Sequence, residues 1–212
     1  MKIFFLFISI GLVLLAKSQD INPYIQSYIS QTNIDSLVSY VRVLSGEDSV
    51  VINGNHVIIN QRTMNTPGND LAAEYIKQKL SSCGLTPFEQ VYSSTGKNIV
   101  AEQTGTVFPH EKIILCAHYD AVTYHCADDN ASGVAVVLEA ARILSGVSFP
   151  YTVVYALWDE EEVGLIGSTF YATQAYNNQV TVRYVLNLEM FGWDSDNDNL
   201  IDVHTSDYAF ST

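Results

Sequence analysis

Residues 112–158 read KIILCAHYDAVTYHCADDNASGVAVVLEAARILSGVSFPYTVVYALW. Two continuous apolar runs, 112–117 and 151–158, lie on either side of segment 131–144, whose apolar residues recur with a helical period. A run without alternating polar residues is typical of a strand that is covered on both faces. The order strand, loop, helix, strand therefore predicts an α/β fold, a three-layer sandwich with a largely parallel central sheet and helices on both faces.

The segments on either side of this stretch favour the same architecture. Asn33 is a suitable N-cap for a helix, and Gly84 is a suitable stop for another that opens after the turn 66–69. Helices are predicted at 33–44, 70–82 and 165–176, strands at 98–102 and 180–190, and a hairpin or irregular strand at 50–60.

The charge balance argues against one class of partner. Acidic residues outnumber basic residues 23 to 10, and the formal net charge is −13. Nucleic acid is not an expected partner, because binding it requires a basic face that replaces counterions. A divalent cation or a substrate amine suits this charge, and an acidic surface that keeps the protein in solution is the alternative explanation.

The first residues have the pattern of a signal peptide. Lys2 supplies a positive start, residues 3–16 form an apolar core, and residues 16–18 give a small-x-small cleavage site. The apolar core is shorter than the roughly 20 residues of a membrane-spanning helix. We expect residues 1–18 to be removed on export, to the periplasm or the exterior, and residues 19–212 to form one domain without a stable membrane partner. A membrane anchor is the alternative.

The chain contains three cysteines, Cys83, Cys116 and Cys126. This odd number allows at most one disulfide in an oxidising compartment. Cys116 and Cys126 flank a segment with polar, chemistry-bearing residues, and whether they pair is left open. No CxxC spacing favours zinc binding by these thiols, so a structural role is expected.

Polar side chains gather where the predicted strands end. His118 and Asp120 follow the apolar run 112–117, and residues 159–162 follow the run 151–158. Glu189 lies near the end of the predicted strand 180–190. A fourth cluster, residues 128–130, precedes the helix at 131–144. Ligands of parallel sheets lie at the carboxyl ends of strands, so we expect the clusters to converge. One imidazole among carboxylates suits zinc, whereas carboxylates alone suit calcium or magnesium.

Each cluster also has a purely structural explanation. Residues 128–130 are suited to capping a helix, and residues 159–162 are suited to the positive end of a helix dipole. Clustered carboxylates, however, raise one another's pKa, and none of these clusters contains a Lys or an Arg. A bound metal accounts for all the clusters together. The carboxylate of Asp120 would then accept the second N–H of His118 and fix its tautomer.

Four strings carry a resemblance to a known family: AHYD (117–120), ADDNASG (127–133), EEVGLIGS (161–168) and NLEM (187–190). They resemble the signature segments of the M28 family of zinc exopeptidases, which includes secreted bacterial aminopeptidases. The resemblance covers roughly residues 60–192. It implies that Asp129 bridges two zinc ions, that Glu161 is the general base and that Asp120 orients His118. The implied zinc ligands are His118, Asp129, Glu162 and Glu189.

The sequence departs from the family pattern in two ways. Glu189 occupies a position that usually holds Asp, so its backbone must lie about one methylene further from the metal. The family also uses a His well downstream of the NLEM segment, and His204 is too close to that segment to fill this position. We therefore expect a C-terminally incomplete chain that binds at most one zinc ion well and is weakly active or inactive.

The expected function is that of a zinc-dependent exopeptidase of the aminopeptidase type, which acts on peptides. A metal-activated water would attack the peptide bond and Glu161 would act as its general base. A single-zinc acyltransferase similar to glutaminyl cyclase is one alternative. The DNASG and EEVGL strings favour the peptidase.

A non-catalytic metal- or calcium-binding module is the other alternative. Four acidic residues occupy the first, third, fifth and ninth places of a loop similar to an EF-hand. Asn199 stands at the sixth place, where Gly is usual, and Thr205 at the twelfth, where Glu is usual. A partial calcium site is therefore the most that this loop predicts, and its candidate ligands are Asp194, Asp196, Asp198 and Asp202.

Overall fold

A computed structural model describes residues 22–195, 197–198 and 200–205. The proposed signal peptide, residues 1–18, lies outside the described residues, as does Asp196. The chain divides after Gln31 into two compact units. In the first, helix α1 (Pro23–Ile29) begins where the side chain of Asn22 accepts a hydrogen bond from the amide of Tyr24. No helix in the described part of the chain is long and apolar enough to cross a membrane.

Seven strands lie in the described part of the second unit, and five of them form its main sheet. β1 (Val50–Ile52) and β2 (Asn55–Val57) form the predicted hairpin, with positive φ angles at Asn53 and Gly54 that are typical of a tight two-residue turn. The main sheet has the order β3-β4-β6-β5-β7. Its strands are β3 (Phe88–Val91), β4 (Lys97–Gln103), β5 (Phe108–His118), β6 (Tyr151–Trp158) and β7 (Thr181–Asn187).

The directions of the strands make this a mixed sheet. β5 pairs in parallel with both β6 and β7, whereas β4 pairs in antiparallel fashion with both β3 and β6. Four strands consequently run in one direction and β4 runs in the other. The largely parallel sheet is confirmed, and its antiparallel member β4 was not predicted.

Helices cover both faces of the sheet. The second unit contains α2 (Ile34–Leu44), α3 (Pro67–Ser82), α4 (Gly133–Leu144) and α5 (Ile166–Asn177). Tyr155 and Leu157 of β6 belong to one buried cluster together with side chains of α2, α3 and α4. The intervening residues Val154 and Ala156 belong to a second cluster with Tyr171 of α5. Because successive side chains of a strand point to opposite faces, these two cores define the three predicted layers.

The path of the chain explains why the helices divide between the faces. The crossover through α4 leads from β5 to its neighbour β6, and the crossover through α5 leads back past β5 to β7. Since connections between parallel strands are right-handed, two crossovers in opposite directions place their helices on opposite faces. The chain therefore leaves β5 and β6 toward opposite faces, and ligands of such sheets bind at the carboxyl ends of the strands where this reversal occurs.

Most predicted elements are confirmed, and their boundaries differ in informative ways. β6 has the predicted bounds, and α2 begins after Asn33, whose side chain accepts from the amide of Ser36. α3 begins three residues before the predicted start, because Pro67 fits the first position of a helix and the side chain of Thr66 caps it. β7 ends at Asn187, so that Glu189 stands in a loop. The short strand β3 was not predicted.

We predict that truncation of the central strand costs far more stability than truncation of the strand at the edge. Leu157 is fully buried in β6, whereas Leu186 of β7 is 49% exposed. Leu157→Ala should lower the free energy of unfolding by about 2–5 kcal/mol, because it leaves a cavity in the core. Leu186→Ala, the matched control, should change it by about 0.5 kcal/mol or less. Urea denaturation measures both values, and equal losses would contradict the packing described.

Candidate active site

His118, the last residue of β5, lies at the centre of a group of acidic side chains. Its side chain is buried, and its Nε2 lies 3.1 Å from Oδ1 of Asp129 and 3.4 Å from Oε1 of Glu189. Oε2 of Glu161 lies 3.9 Å from the same nitrogen. The three carboxylates belong to the turn 127–132, the loop after β7 and the loop after β6. The structure thus brings residues from all four sequence clusters together at the carboxyl ends of the parallel strands.

Asp120 connects the loop after β5 to the loop after β6. Its buried carboxylate lies 3.3 Å from Nδ1 of His118, which must donate the hydrogen bond because a carboxylate only accepts. The same carboxylate accepts hydrogen bonds from the backbone amides of Glu161, at 3.0 Å, and Glu162, at 3.2 Å. The imidazole ring is therefore oriented with Nε2 toward the other acids, and the backbone of Glu161 and Glu162 is held by Asp120.

Two sets of potential ligand atoms share His118. One set adds Asp129 and Glu189, the other adds Glu161 and Glu162, and within each set the atoms lie within 4.8 Å of one another. Oε1 of Glu162 is buried and has no hydrogen-bond partner in the described structure. A buried acceptor without a donor is costly, and a cation would satisfy it. One imidazole with several carboxylates is also a donor set that suits zinc, so the residues present fit a zinc ion.

The local electrostatics follow from burial and crowding of like charges. Burial alone would lower the pKa of His118, but hydrogen bonds from its ring to Asp120 and Glu189 outweigh this effect and raise the pKa to about 10. Burial raises the pKa of Glu161 and of Glu162, although the positive charge of His118 opposes the rise. Nearby carboxylates add to the rise in both glutamates.

The acidic run 159–162 is divided by the structure into two pairs. Asp159 turns away from His118, accepts a hydrogen bond from the side-chain amide of Asn69 at 2.8 Å and is fully buried. Glu160 is also buried, and the hydroxyl of Thr95 lies 3.4 Å from it. Burial is the main reason why the pKa of Asp159 rises to about 6. Only Glu161 and Glu162 of this run belong to the groups around His118.

A buried arginine lies behind the site, and the sequence analysis missed it. The guanidinium of Arg62 donates hydrogen bonds to the backbone carbonyls of Tyr119, at 2.8 Å, and Cys126, at 2.9 Å. It also donates to the carbonyls of Leu44 and His125. Burial lowers the pKa of Arg62 to about 10, although nearby thiol and carboxylate groups oppose the shift. None of the four sequence clusters contains a Lys or an Arg, and the fold brings this cation to the loops beside them from a distant segment.

The cysteines take no part in either group of ligand atoms. All three are free thiols, so the pairing of Cys116 with Cys126 that the sequence left open is not formed. Sγ of Cys116 is buried and lies 3.5 Å from Oδ1 of Asn187, and Sγ of Cys126 lies 3.6 Å from the carbonyl of Thr123. The structural role that we expected of Cys116 agrees with its position on β5.

The described residues of the candidate calcium loop belong to neither group of ligand atoms. Asp194, Asp198 and Asp202 are exposed, and Oδ1 of Asp198 accepts from the amide of Leu200 at 2.8 Å. His204 is exposed as well. None of these residues belongs to the two groups found among residues 22–195, 197–198 and 200–205. Calcium binding here stays a prediction.

Comparison with known proteins agrees with the class of site that the geometry describes, an imidazole and carboxylate centre at the strand ends of an α/β sandwich. The sequence pattern of peptidase family M28 matches residues 98–210, which is more than half of the chain. The chain therefore belongs to peptidase family M28.

Individual relatives agree with this membership. Aminopeptidase YwaD of Bacillus subtilis is 28% identical over 177 residues, which cover 77% of this chain and 38% of that protein. The chain spans about a third of the length of the first curated relatives that it matches. Among solved structures, the LapA aminopeptidase of Legionella pneumophila shares the fold with a TM-score of 0.68 at 16% identity, over 86% of this chain and 51% of that one. A glutaminyl cyclase of Porphyromonas gingivalis shares it with a TM-score of 0.59 at 22% identity, over 76% and 60% of the two chains.

We predict that Asp159 makes stability depend on pH. Its folded-state pKa of about 6 lies above the usual 3.8, so the folded protein binds this proton more tightly than the unfolded chain does. Its contribution to stability is complete below about pH 4 and is lost as the pH rises through about 6. The unfolding free energy of the wild type, minus that of Asp159→Asn, should fall by about 3 kcal/mol between these limits. A difference that stays flat in urea denaturation across this range would contradict the assignment.

Proposed function

We propose that this chain carries the catalytic centre of a zinc-dependent exopeptidase of the aminopeptidase type. The observation that carries the proposal is the convergence of His118 with Asp129 and Glu189 on one side and with Glu161 and Glu162 on the other. Family membership supports the same conclusion. Export from the cytoplasm is part of the proposal and rests on the sequence of residues 1–18 alone.

The proposed metal ligands follow from the two groups of donor atoms. His118, Asp129 and Glu189 make up a complete three-residue set for one zinc ion. Asp129 and Glu162 are the proposed ligands of a second ion, for which the described residues bring no further His into either group. A zinc ion held there would supply a Lewis acid for the scissile carbonyl and would lower the pKa of water in the site.

Glu161 is the proposed general base. Its side chain is about one-third exposed, which leaves its carboxylate open to water, and burial of the remainder raises its pKa. A carboxylate with a raised pKa is better suited to take a proton from the attacking water near neutral pH. Its backbone amide donates to Asp120 at 3.0 Å, which fixes the main chain from which this side chain extends toward His118. The same carboxylate can then pass the proton to the leaving amine.

The surplus of negative charge supports a preference for a free N-terminal amine. Asp129 and Glu189 are each more than 40% exposed, and no Lys or Arg of the described residues forms an ion pair with either of them. An ammonium group at the N-terminus of a peptide would be attracted to this region, whereas a blocked N-terminus would not. This attraction is the physical basis on which we propose an aminopeptidase rather than another exopeptidase.

An acyltransferase similar to glutaminyl cyclase is the second candidate. The observation that favours it concerns the metal ligands: among the described residues, His118, Asp129 and Glu189 form the one set that is complete without Glu161. One such set suits a single ion. Such an enzyme would form a ring from an N-terminal glutamine and release ammonia, without cleaving a peptide bond. Both candidates need the same metal, so substrates rather than metal content distinguish them.

We predict that Glu161→Gln abolishes peptide hydrolysis while the zinc content is unchanged. Glutamine keeps the size of the side chain but cannot accept the proton, and Glu161 is not among the proposed ligands. The matched control is Glu160→Gln, because the preceding glutamate lies outside both donor groups. This control should keep its activity. Hydrolysis of an amino-acid p-nitroanilide and metal analysis measure both properties, and full activity of the Glu161 variant would contradict the assignment.

We also predict that the substrate must have a free amine. A peptide with an unblocked N-terminus should release its first amino acid, and the N-acetylated form of the same peptide should not react. A peptide that begins with glutamine should lose that residue without release of ammonia. Amino-acid analysis measures the released amino acid in the three reactions, and an ammonia assay measures the ammonia. Equal cleavage of both forms contradicts the aminopeptidase, and stoichiometric ammonia supports the cyclase instead.

A further inference from the structure

The loop that carries Glu189 is held by side chains from the turn 127–132. β7 ends at Asn187, and the amide of the next residue, Leu188, still donates to the carbonyl of Cys116 on β5 at 2.8 Å. The side-chain amide of Asn130 donates to the carbonyl of Leu188 at 2.9 Å, and its oxygen accepts from the amide of Met190 at 3.3 Å. One buried side chain therefore binds the backbone on both sides of Glu189.

Two further side chains of the turn extend this contact. The hydroxyl of Ser132 accepts from the amide of Phe191 at 2.8 Å, and Oδ1 of Asp128 accepts from the amide of Gly192 at 2.6 Å. Ser132 also donates to Asp128 within the turn, so the two acceptors are bound to each other. Asp128, Asn130 and Ser132, which we name the loop clamp, thus make four hydrogen bonds to the backbone of residues 188–192.

The clamp is anchored at the start of α4. The oxygen of Asn130 accepts from the amide of Gly133 at 2.9 Å, and Asn130 is fully buried. A Cβ at Gly133 would lie 2.4 Å from the carbonyl of Leu188 and 2.3 Å from the oxygen of Asn130. Only glycine permits so close an approach without a shift of the backbone. The loop therefore rests directly on the first residue of the helix.

The position of Asp129 links the clamp to the chemistry of the site. This residue lies between two members of the clamp, and its Oδ1 is 3.1 Å from Nε2 of His118. Glu189, whose two neighbours in the sequence are bound by Asn130, is 3.4 Å from the same nitrogen. Glutamate has one more rotatable bond than the aspartate usual at this position, so more entropy is lost when its carboxylate is fixed. A backbone fixed on both sides limits that freedom.

We propose that Asp128, Asn130 and Ser132 are positioning residues that set the place of Glu189 relative to Asp129 and His118. One turn then supplies one ligand directly and determines the location of another. This inference rests on the proposed function, because it treats Glu189 and Asp129 as metal ligands. It assigns a role to the polar residues on both sides of Asp129, which the sequence explained only as helix-capping candidates.

The test compares zinc affinity in a double-mutant cycle, measured on this chain by competition with a chelator. Asn130→Ala should weaken zinc binding by about 10–100-fold, as loss of a residue that orients a ligand does. In the background of Glu189→Gln the same change should have little further effect, because the ligand that it positions is already impaired. The absorption spectrum of the cobalt(II)-loaded protein should shift in the same direction in both single variants.

Gln103→Ala is the matched control. Its side-chain amide donates to the carbonyls of Leu144, Ser145 and Val147. Gln103 pairs with Val153 near the start of β6, so it lies at the end of the strands opposite to the site. Loss of this loop contact should leave zinc affinity and the cobalt spectrum unchanged. Where Asn130→Ala does not fold, Ser132→Ala removes a single acceptor and should weaken zinc binding in the same non-additive way.

The possible results separate the clamp from the proposed function. Equal weakening by Asn130→Ala in both backgrounds, or none in either, overturns the clamp while a strong effect of Glu189→Gln upholds the ligand assignment. An unchanged affinity in Glu189→Gln overturns the assignment and the clamp together. A loss of affinity in the Gln103 control as large as that in the Asn130 variant would show a general effect of destabilisation, and would also overturn the clamp.

Discussion

The carboxylate of Asp120 accepts three hydrogen bonds, and the geometry of the site depends on them. It receives the Nδ1 proton of His118 and the backbone amides of Glu161 and Glu162, so that it joins the ends of β5 and β6. The two strands pair in parallel, and their loops diverge to opposite faces, which leaves space for such a bridge. Because Nδ1 is engaged, Nε2 faces the remaining carboxylates. The spacing of His118 and Asp120, two residues apart at the end of β5, thus fixes the orientation of the imidazole.

A second constraint is the concentration of negative charge around this imidazole. Carboxylates as close as those of Asp129 and Glu189 to one nitrogen repel one another, and burial adds to the cost of their ionisation. The fold reduces this cost in two ways. It places the guanidinium of Arg62 behind the loops, and it turns Asp159 away toward Asn69. The oxygen of Glu162 still has no donor in the described structure, and a cation would supply what it lacks.

Apolar periodicity and capping residues predicted the elements of the fold that depend on residues adjacent in the sequence. The apolar run of β6 and the N-cap of α2 are properties of adjacent residues, and both were predicted at the positions found. The antiparallel placement of β4 depends on pairing with distant strands, which periodicity does not encode. The same holds for Arg62, whose partners are carbonyls without a sequence signature, and for the bonds of Asn130 to the loop after β7. The convergence of the acids was predictable because the carboxyl ends of parallel strands lie together, and the family resemblance had already selected Glu161 and Glu162 from residues 159–162. The hydrogen bond of Asp159 to Asn69 was not predictable, because it joins distant segments.

X-ray absorption at the zinc edge of the zinc-loaded chain tests the central claim most directly. We expect nitrogen and oxygen ligands at about 2.0–2.2 Å, with the scattering of one imidazole and no sulfur. That result would match His118 held by Asp120 among carboxylates. A sulfur shell at about 2.3 Å would place Cys116 or Cys126 on the metal and would contradict the account.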